Sequence, residues 1–187
     1  MSSTLVTVVA IASIVTFMVV AQLSRIRGLA RRGETLARSR GLAHYVAYFF
    51  FVPYLVIGAR PGSELDVPEP FRWIGLALVV LGIAFALWAI ATLGRHYDLE
   101  LEIHRDHELV RSGPYRVVRH PVYTGLGLHF VGACLATGNL VLIAGTLLVT
   151  FPALYFRART EEGLLRERFG PAYDAYAREV GMLVPLL

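Results

Sequence analysis

The sequence predicts an all-α integral membrane protein with about five transmembrane helices in a single domain, residues 1–187. Three observations lead to this prediction. Hydrophobic residues make up 56% of the chain, which is more than soluble globular proteins contain. These residues are gathered in runs of nearly membrane-spanning length. All but one of the arginines lie outside the runs and lysine is absent, so the charges mark the polar segments that connect or follow the helices.

Five apolar runs approach the length of about 20 residues that a helix needs to cross the hydrocarbon core. The run at 42–58 is weaker, because it is short and contains His44 and Pro53. Only Gly138 separates the last two runs, which predicts a tight antiparallel helical hairpin supported by neighbouring helices. The predicted spans are residues 4–23, 42–58, 71–93, 122–137 and 139–156.

The arginines also predict the orientation of the chain. Six arginines and one acidic residue, Glu34, lie between the first two runs, and segments 94–121 and 157–187 contain five arginines each. Segment 59–70 has Arg60 and three acidic residues. Because short cytoplasmic loops retain basic residues, we expect the N-terminus outside and the C-terminus in the cytoplasm. Nucleic acid is not an expected partner, since the basic residues do not form a stripe on a soluble fold.

The sequences of two polar segments predict local secondary structure. In LELEIHRDHELV, residues 99–110, apolar and acidic residues alternate before a polar turn, which predicts a short interfacial β-hairpin. The helix of the last span is expected to continue to Phe169, where Gly170 and Pro171 end it. A second amphipathic helix then follows, with Tyr173 and Tyr176 on one side. This pattern predicts a cytoplasmic C-terminal helical cap on the membrane surface.

The stretch GPYRVVRHPVYTG, residues 113–125, places polar side chains directly before an apolar run. Pro121 suits the first turn of a helix, so Arg119 and His120 would lie at a helix N-terminus, which attracts anions. Tyr123 lies on the same face as His120, and Gly125 permits close approach of another helix or a flat ligand. Anchoring at the membrane interface explains the same residues, so residue types alone leave both interpretations open.

Glu161 and Glu162 are adjacent acidic residues just beyond the last span, in a tail otherwise rich in arginine. A solvated helix face with local ion pairs would account for them. The hairpin, however, brings the start of the fourth span and the end of the fifth to the same membrane face. We therefore expect Arg119 and His120 to converge with the two glutamates.

From about Thr92 to Pro185 the chain resembles the isoprenylcysteine carboxyl methyltransferase and phospholipid methyltransferase superfamily. The resemblance is carried by GPYRVVRHPVYTG and, after the hairpin, EEGLLRERFGPAYDAYAREV. It implies an integral membrane enzyme with S-adenosylmethionine held between the two motif helices, and residues 109–115 closing over it. The resemblance also implies that residues 94–187 form the cofactor-binding core and that residues 1–93 form the substrate side. The implied cofactor-binding residues are Leu109, Val110, Gly113, Tyr115, Arg119, His120, Pro121, Tyr123, Gly125, Glu161 and Glu162.

Methyl transfer from a sulfonium chiefly needs positioning and exclusion of water. If the acceptor is a carboxylate, Arg116 or Arg157 is expected to orient it. If it is an amine, Glu162 or His120 is the candidate base. The expected acceptor is a prenylated or otherwise lipophilic molecule that enters from the bilayer. Glycines of the fourth span would either form a groove for its chain or pack against a helix.

Two other functions remain open at this point. An NADPH-dependent membrane reductase of the sterol-reductase kind shares a similar C-terminal tail, and a non-enzymatic membrane component would bind no cofactor. A metal site is not predicted, because His96, His104 and His107 lack the spacing of a formed site and fit an exposed turn.

Overall fold

A computed structural model describes residues 3–29, 35–38, 64–94, 102–104 and 109–186. The fold within these residues is almost entirely helical, as predicted. A 3₁₀ turn (Gly113–Arg116) precedes α3, and a π-helical segment (Thr146–Thr150) joins α4 to α5. The elements are α1 (Ser3–Leu29), β1 (Thr35–Arg38), α2 (Glu69–Leu93), β2 (Glu102–His104), α3 (Pro121–Thr137), α4 (Leu140–Gly145), α5 (Phe151–Phe169) and α6 (Pro171–Glu179).

Three stretches of the described residues are long and apolar enough to cross a membrane: Leu5–Ser24, Glu69–Leu93 and Leu140–Phe169. They coincide with the first, third and fifth predicted spans, and the last continues beyond its span into the polar tail. Helix α3, with 17 residues, corresponds to the short fourth run. The predicted span 42–58 lies outside the described residues. An integral membrane protein is therefore supported, and the five-span count stays a prediction.

Helices α2 and α3 pack against each other through glycines. A Cβ atom at Gly82 would lie 2.5 Å from the carbonyl oxygen of Gly125, and one at Gly132 would lie 2.5 Å from that of Gly75. The glycines of each helix are two turns apart and share a face, and their order makes the two helices antiparallel. Gly125 and Gly132 therefore serve helix packing rather than a groove. Gly127 faces Phe151 of α5 instead, where an added Cβ would have ordinary contact distances.

The apolar core lies where α1 covers this helix pair. Ala10, Ile14, Phe17 and Ala21 of α1 recur every three or four residues and are buried. They join a cluster that includes Phe130 of α3. The core thus packs α1 beside α2 and α3. His120, at the polar end of α3, is not part of this core cluster.

The predicted hairpin between the fourth and fifth spans is confirmed. Gly138 has a φ of +66°, a left-handed conformation that glycine adopts without strain, and its N–H donates to Cys134 O at 2.8 Å. Asn139 then caps α4 by accepting a hydrogen bond from Leu142 N at 3.0 Å. The π-helical segment ends at Thr150, two residues before Pro152, which has no N–H to donate. The chain consequently returns to the membrane face from which α3 starts.

The β-hairpin predicted for residues 99–110 is wrong in its pairing. Glu102–His104 does form a strand, but its antiparallel partner is Thr35–Arg38 from the first arginine-rich segment. Residues 109 and 110 form no strand and lead into the 3₁₀ turn. A short polar strand has few side-chain contacts that specify its partner, so the local alternation could not distinguish a nearby partner from a distant one.

The C-terminal segment folds as an amphipathic helix followed by an extended strap. Gly170, with a φ of +51°, separates α5 from α6, and Tyr173 and Tyr176 are buried on one side of α6. Residues 181–183 then run beside the entry to α3, with Val118 and Gly181 forming a parallel bridge. The predicted tail helix is confirmed, and its buried side faces residues of the sequence motif.

Candidate active site

The C-terminal strap holds the turn that enters α3. The backbone N–H groups of Arg119 and His120 donate to Gly181 O at 2.8 Å and to Met182 O at 3.0 Å. Thr124 Oγ1 donates to Leu183 O at 2.8 Å. The strap therefore fixes the direction in which the Arg119 and His120 side chains leave the backbone. Pro121 follows as the first helical residue and is buried.

Arg119 forms the first ionic link between the two sequence motifs. Its Nε and Nη2 atoms lie 2.8 and 2.5 Å from Glu162 Oε1, and the exposed fractions of the two side chains are 10% and 1%. Nη1 also donates to Ala177 O at 2.9 Å and to Val180 O. The predicted convergence of the motifs is confirmed. The guanidinium of Arg119 is engaged with this chain's own acceptors.

A second link runs through Tyr123 to Glu161. Arg157 Nε donates to Tyr123 Oη at 2.9 Å, and Tyr123 Oη donates to Glu161 Oε2 at 3.0 Å. The Tyr123 ring stacks on His120, with centroids 5.6 Å apart and 14° between the planes. Because α3 supplies Tyr123 and α5 supplies Arg157 and Glu161, this link depends on the hairpin.

His120 lies between the two carboxylates. Its Nδ1 is 3.5 Å from Glu161 Oε2 and its Nε2 is 3.6 Å from Glu162 Oε1, which are ion-pair distances rather than hydrogen-bond distances. Burial by itself would lower the pKa of His120, but the carboxylates of Glu161 and Glu162 favour the charged imidazolium and raise the pKa above its ordinary 6.5. Two acids, one imidazole and two arginines thus form a compact charged cluster.

Three buried polar atoms at this cluster lack a hydrogen bond of full geometry among the described residues, although the Tyr173 hydroxyl lies close enough to Glu162 to interact with it. They are His120 Nε2, Glu162 Oε2 and Tyr173 Oη. Natural proteins rarely leave buried polar atoms unpaired, so such atoms require an explanation. A bound polar molecule with both donor and acceptor groups would satisfy them. The residues of the cluster therefore fit a polar cofactor.

The 3₁₀ turn and the residues before it lie on one side of the cluster. Tyr115 is buried, and its carbonyl oxygen accepts a 2.6 Å hydrogen bond from Tyr176 Oη. Gly113, with a φ of +58°, packs on Trp88 and Thr92 of α2. The structure thereby holds the turn between α2 and α6. Leu109 and Val110 are partly buried in the irregular segment before the turn.

Other predicted site residues lie elsewhere. Arg116 is exposed at the end of the 3₁₀ turn, and no ion pair to it is found in the described part of the chain. Gly125 faces Gly82 and Ala86 of α2, not the charged cluster. His104 lies in β2, whereas His96 and His107 are outside the described residues. The cluster therefore contains Arg119, His120, Tyr123, Arg157, Glu161 and Glu162.

Sequence reasoning missed the contribution of α6 to this site. Tyr173 is 1% exposed, and the guanidinium carbon of Arg166 lies 5.6 Å from the centre of its ring. Arg166 Nη2 is also 3.5 Å from Glu162 Oε2, so the phenol and the carboxylate share a neighbour. The tyrosine spacing in PAYDAYARE indicated a buried helix face. No feature of the pattern indicated that one hydroxyl would meet the glutamates.

The chain matches the family model described as phospholipid methyltransferase over residues 71–172. It is 32% identical to protein-S-isoprenylcysteine O-methyltransferase B of Arabidopsis thaliana, over 85% of this chain and 77% of that protein. It is also 32% identical to a probable protein-S-isoprenylcysteine O-methyltransferase of Oryza sativa subsp. indica, over 62% of this chain. That match spans 61% of the rice protein.

A solved structure shares the fold. It is that of a eukaryotic intramembrane Ras methyltransferase, isoprenylcysteine carboxyl methyltransferase, with a TM-score of 0.58 and 28% sequence identity. The similarity covers 77% of this chain and 50% of the other. The family-model match includes the first motif, the hairpin and Glu161 and Glu162, and it ends at residue 172 within the second motif.

Proposed function

The chain belongs to the phospholipid methyltransferase family, and we propose that it transfers a methyl group from S-adenosylmethionine to a lipophilic acceptor at the membrane surface. One observation carries the proposal. A cluster of two glutamates, a histidine and two arginines lies at the polar end of a membrane hairpin; His120, Arg157 and Glu162 are buried in it, and some of its buried polar atoms lack a hydrogen bond of full geometry. The family model of phospholipid methyltransferases matches residues 71–172, which contain every residue of this cluster.

The residues that would hold the cofactor are those of the cluster. Glu161 and Glu162 present carboxylate oxygens to hydroxyl or ammonium groups, and His120 and Tyr123 lie against them. When bound, the cofactor supplies an electrophilic methyl group on a sulfonium. Burial of His120 and Glu162 keeps water away from that end of the cluster. Residues 109–115 would close over the bound molecule, and the hydrogen bond from Tyr176 Oη to Tyr115 O supports this proposal by holding the end of that segment against α6.

The acceptor that suits these residues best is the carboxylate of an isoprenylcysteine-like molecule. A carboxylate attacks without first losing a proton, so no general base is required. Arg157 is buried at the end of the membrane-spanning part of α5 and is the candidate to orient the acceptor carboxylate. Arg116 is the weaker candidate because it is exposed. For a lipid amine, Glu162 or His120 would instead have to accept a proton.

We also propose that the N-terminus is outside and that the five spans place the cofactor site on the cytoplasmic side. The pairing of β1 with β2 supports this arrangement, because it requires the first and third polar segments to lie on the same side. The proposed cofactor core is 94–187, which supplies every residue of the charged cluster. Residues 1–93 are proposed to face the acceptor.

Binding to protein purified in detergent tests the proposal against the two rival functions. We expect saturable binding of S-adenosylmethionine and S-adenosylhomocysteine and none of NADPH. Binding of NADPH alone would indicate a reductase, and binding of no nucleotide cofactor would indicate a non-enzymatic component. Either result would overturn the proposed function.

A further inference from the structure

The C-terminal strap leads into a short apolar segment, residues 184–186, which we call the hook. Its side chains are exposed, with exposed fractions of 71% for Val184 and 59% for Leu186. The backbone turns back at this point, because a Cβ atom at Gly181 would clash with Val184 O. Exposed apolar side chains that lie close together mark a surface for a membrane or another protein.

Another exposed apolar side chain is carried by the segment beside the strap. Val118 forms a parallel bridge with Gly181 and is buried. Its neighbour Val117 is 46% exposed, and it precedes α3 in the turn that the strap holds. Exposed apolar side chains therefore come from two backbone segments that run side by side at the entry to α3.

Hydrogen bonds fix the direction in which the strap approaches the hook. The carbonyl oxygens of residues 181–183 accept hydrogen bonds, in chain order, from Arg119 N, His120 N and Thr124 Oγ1. The strap thus runs in the same direction as the start of α3, towards the apolar part of that helix. The hook follows directly and lies beside the first turn of α3.

Helix α5 shows that this turn lies at the membrane boundary. The apolar part of α5 ends at Tyr155 and Phe156, which are 45% and 66% exposed, and Arg157 follows. Exposed aromatic side chains at the end of an apolar run are typical of the membrane interface. Arg157 Nε donates to Tyr123 Oη at 2.9 Å, so the boundary on α5 is level with the first turn of α3 and with the hook.

We propose that the hook and Val117 insert into the membrane leaflet on the side of the charged cluster. Removal of their apolar side chains from water favours insertion. Arg116 is exposed directly before Val117, which places a cation where lipid phosphate groups lie. Because the strap also holds the entry to α3, this contact attaches the charged cluster to the membrane surface.

Fluorescence quenching in phosphatidylcholine nanodiscs tests the contact. A bimane label is attached at Val184→Cys or Leu186→Cys in a Cys134→Ala background. Glu179→Cys, at an exposed position just before the strap, is the matched control. Compared with the label at position 179, we expect several-fold stronger quenching by lipid brominated on its acyl chains at positions 184 and 186. Quenching by aqueous iodide should be several-fold weaker at these two positions.

Two results would overturn the inference. Iodide quenching at positions 184 and 186 equal to that at position 179 would place the hook in water. Protection from both quenchers would show that a protein surface, such as a second copy of the chain, covers the hook instead of lipid. The measurement uses no cofactor, so either result leaves the proposed function intact.

Discussion

At the scale of single residues, the charged cluster combines groups that stabilise the fold with groups that fit a ligand. Arg119 is bonded to Glu162 and to two backbone carbonyls, so its main role is to join α3, α5 and the C-terminal strap. His120 and Glu162 retain unpaired atoms. A buried ion pair contributes little net stability, but removing one partner is costly. Substitutions of Arg119 are therefore expected to unfold the site, not merely to weaken binding.

The proposed cofactor role of His120 and Glu161 leads to the first prediction. His120→Ala and Glu161→Gln should each weaken S-adenosylhomocysteine binding by about ten- to a hundredfold, because each removes a hydrogen bond to a charged group. Titration calorimetry on monodisperse protein measures this loss. Glu167→Gln, at an exposed position of the same helix, is the matched control and should bind as the wild type does. Unchanged affinity in both variants would indicate that these residues only anchor the helix at the membrane interface.

The position of His120 between two carboxylates leads to a prediction about pH. His120 precedes α3, and it faces Glu161 and Glu162 of α5 and Tyr123 of α3, beside Arg119. Its folded-state pKa is raised by the two carboxylates, so its stabilising contribution is complete below the unfolded pKa of about 6.5. That contribution is lost as pH rises through the higher folded pKa.

Thermal unfolding of the ligand-free protein across this range measures the effect. The unfolding temperature of the wild type should fall towards that of His120→Gln as the pH increases from about 6 to about 9. A difference between the two proteins that is constant over the range would contradict the prediction.

Residue types and spacing predicted the meeting of Arg119 and His120 with the glutamates, because the hairpin geometry follows from a single glycine between two apolar runs. The same information could not predict Tyr173. An aromatic residue on an amphipathic helix normally packs in the core, and the meeting of the Tyr173 hydroxyl with Glu162 depends on the placement of α6. For Gly125 the sequence suggested a role that the structure does not show. Its small size and its place in the motif suggested close approach of a ligand, but it packs against α2.

At the scale of secondary-structure elements, the α2–α3 pair should be intolerant of side chains at its crossing points. In Gly125→Ala the new Cβ would lie 2.4 Å from Gly82 O, and such overpacking costs about 1 to 3 kcal/mol. Gly127→Ala on the same helix would place its Cβ 3.8 Å from Phe151, and it should be neutral or stabilising by up to about 1 kcal/mol. Thermal unfolding in one detergent compares them. Equal stability of the two variants would show that the helices are not closely packed.

The lengths of apolar runs predicted α1, α2 and both helices of the hairpin, because crossing a bilayer requires a minimum length. The π-helical segment and the pairing of β1 with β2 could not be predicted in this way. The first is a local shift of the hydrogen-bond ladder before Pro152. The second joins two short polar segments that are far apart in the sequence.

At the scale of the whole molecule, orientation in the membrane is the next prediction. Cysteine labelling in a Cys134→Ala background should place Ser63→Cys outside and Ser112→Cys in the cytoplasm, because arginine-rich segments stay on the cytoplasmic side. Comparing a membrane-impermeant reagent on intact and permeabilised cells measures accessibility. Labelling of both positions from the same side would overturn the five-span arrangement.

The membrane setting also defines the expected acceptor. A prenyl or acyl chain that stays among the helices gains about 0.8 kcal/mol for each CH₂ group removed from water. The charged cluster lies where α3 starts and the apolar part of α5 ends, and we expect the lipid head groups at this level. Turnover should therefore depend on the chain of the acceptor, with entry from the bilayer, and on the carboxylate of its head group.

The most direct test of this account is transfer of a tritium-labelled methyl group from S-adenosylmethionine in nanodiscs. The acceptors are an S-farnesylated N-acetylcysteine, the same head group without the chain, and phosphatidylethanolamine. We predict that label enters the farnesylated carboxylate and is released by base as methanol, as expected for a methyl ester. Equal turnover of the chain-free head group at matched free concentration, or base-stable label on the lipid amine alone, would contradict it.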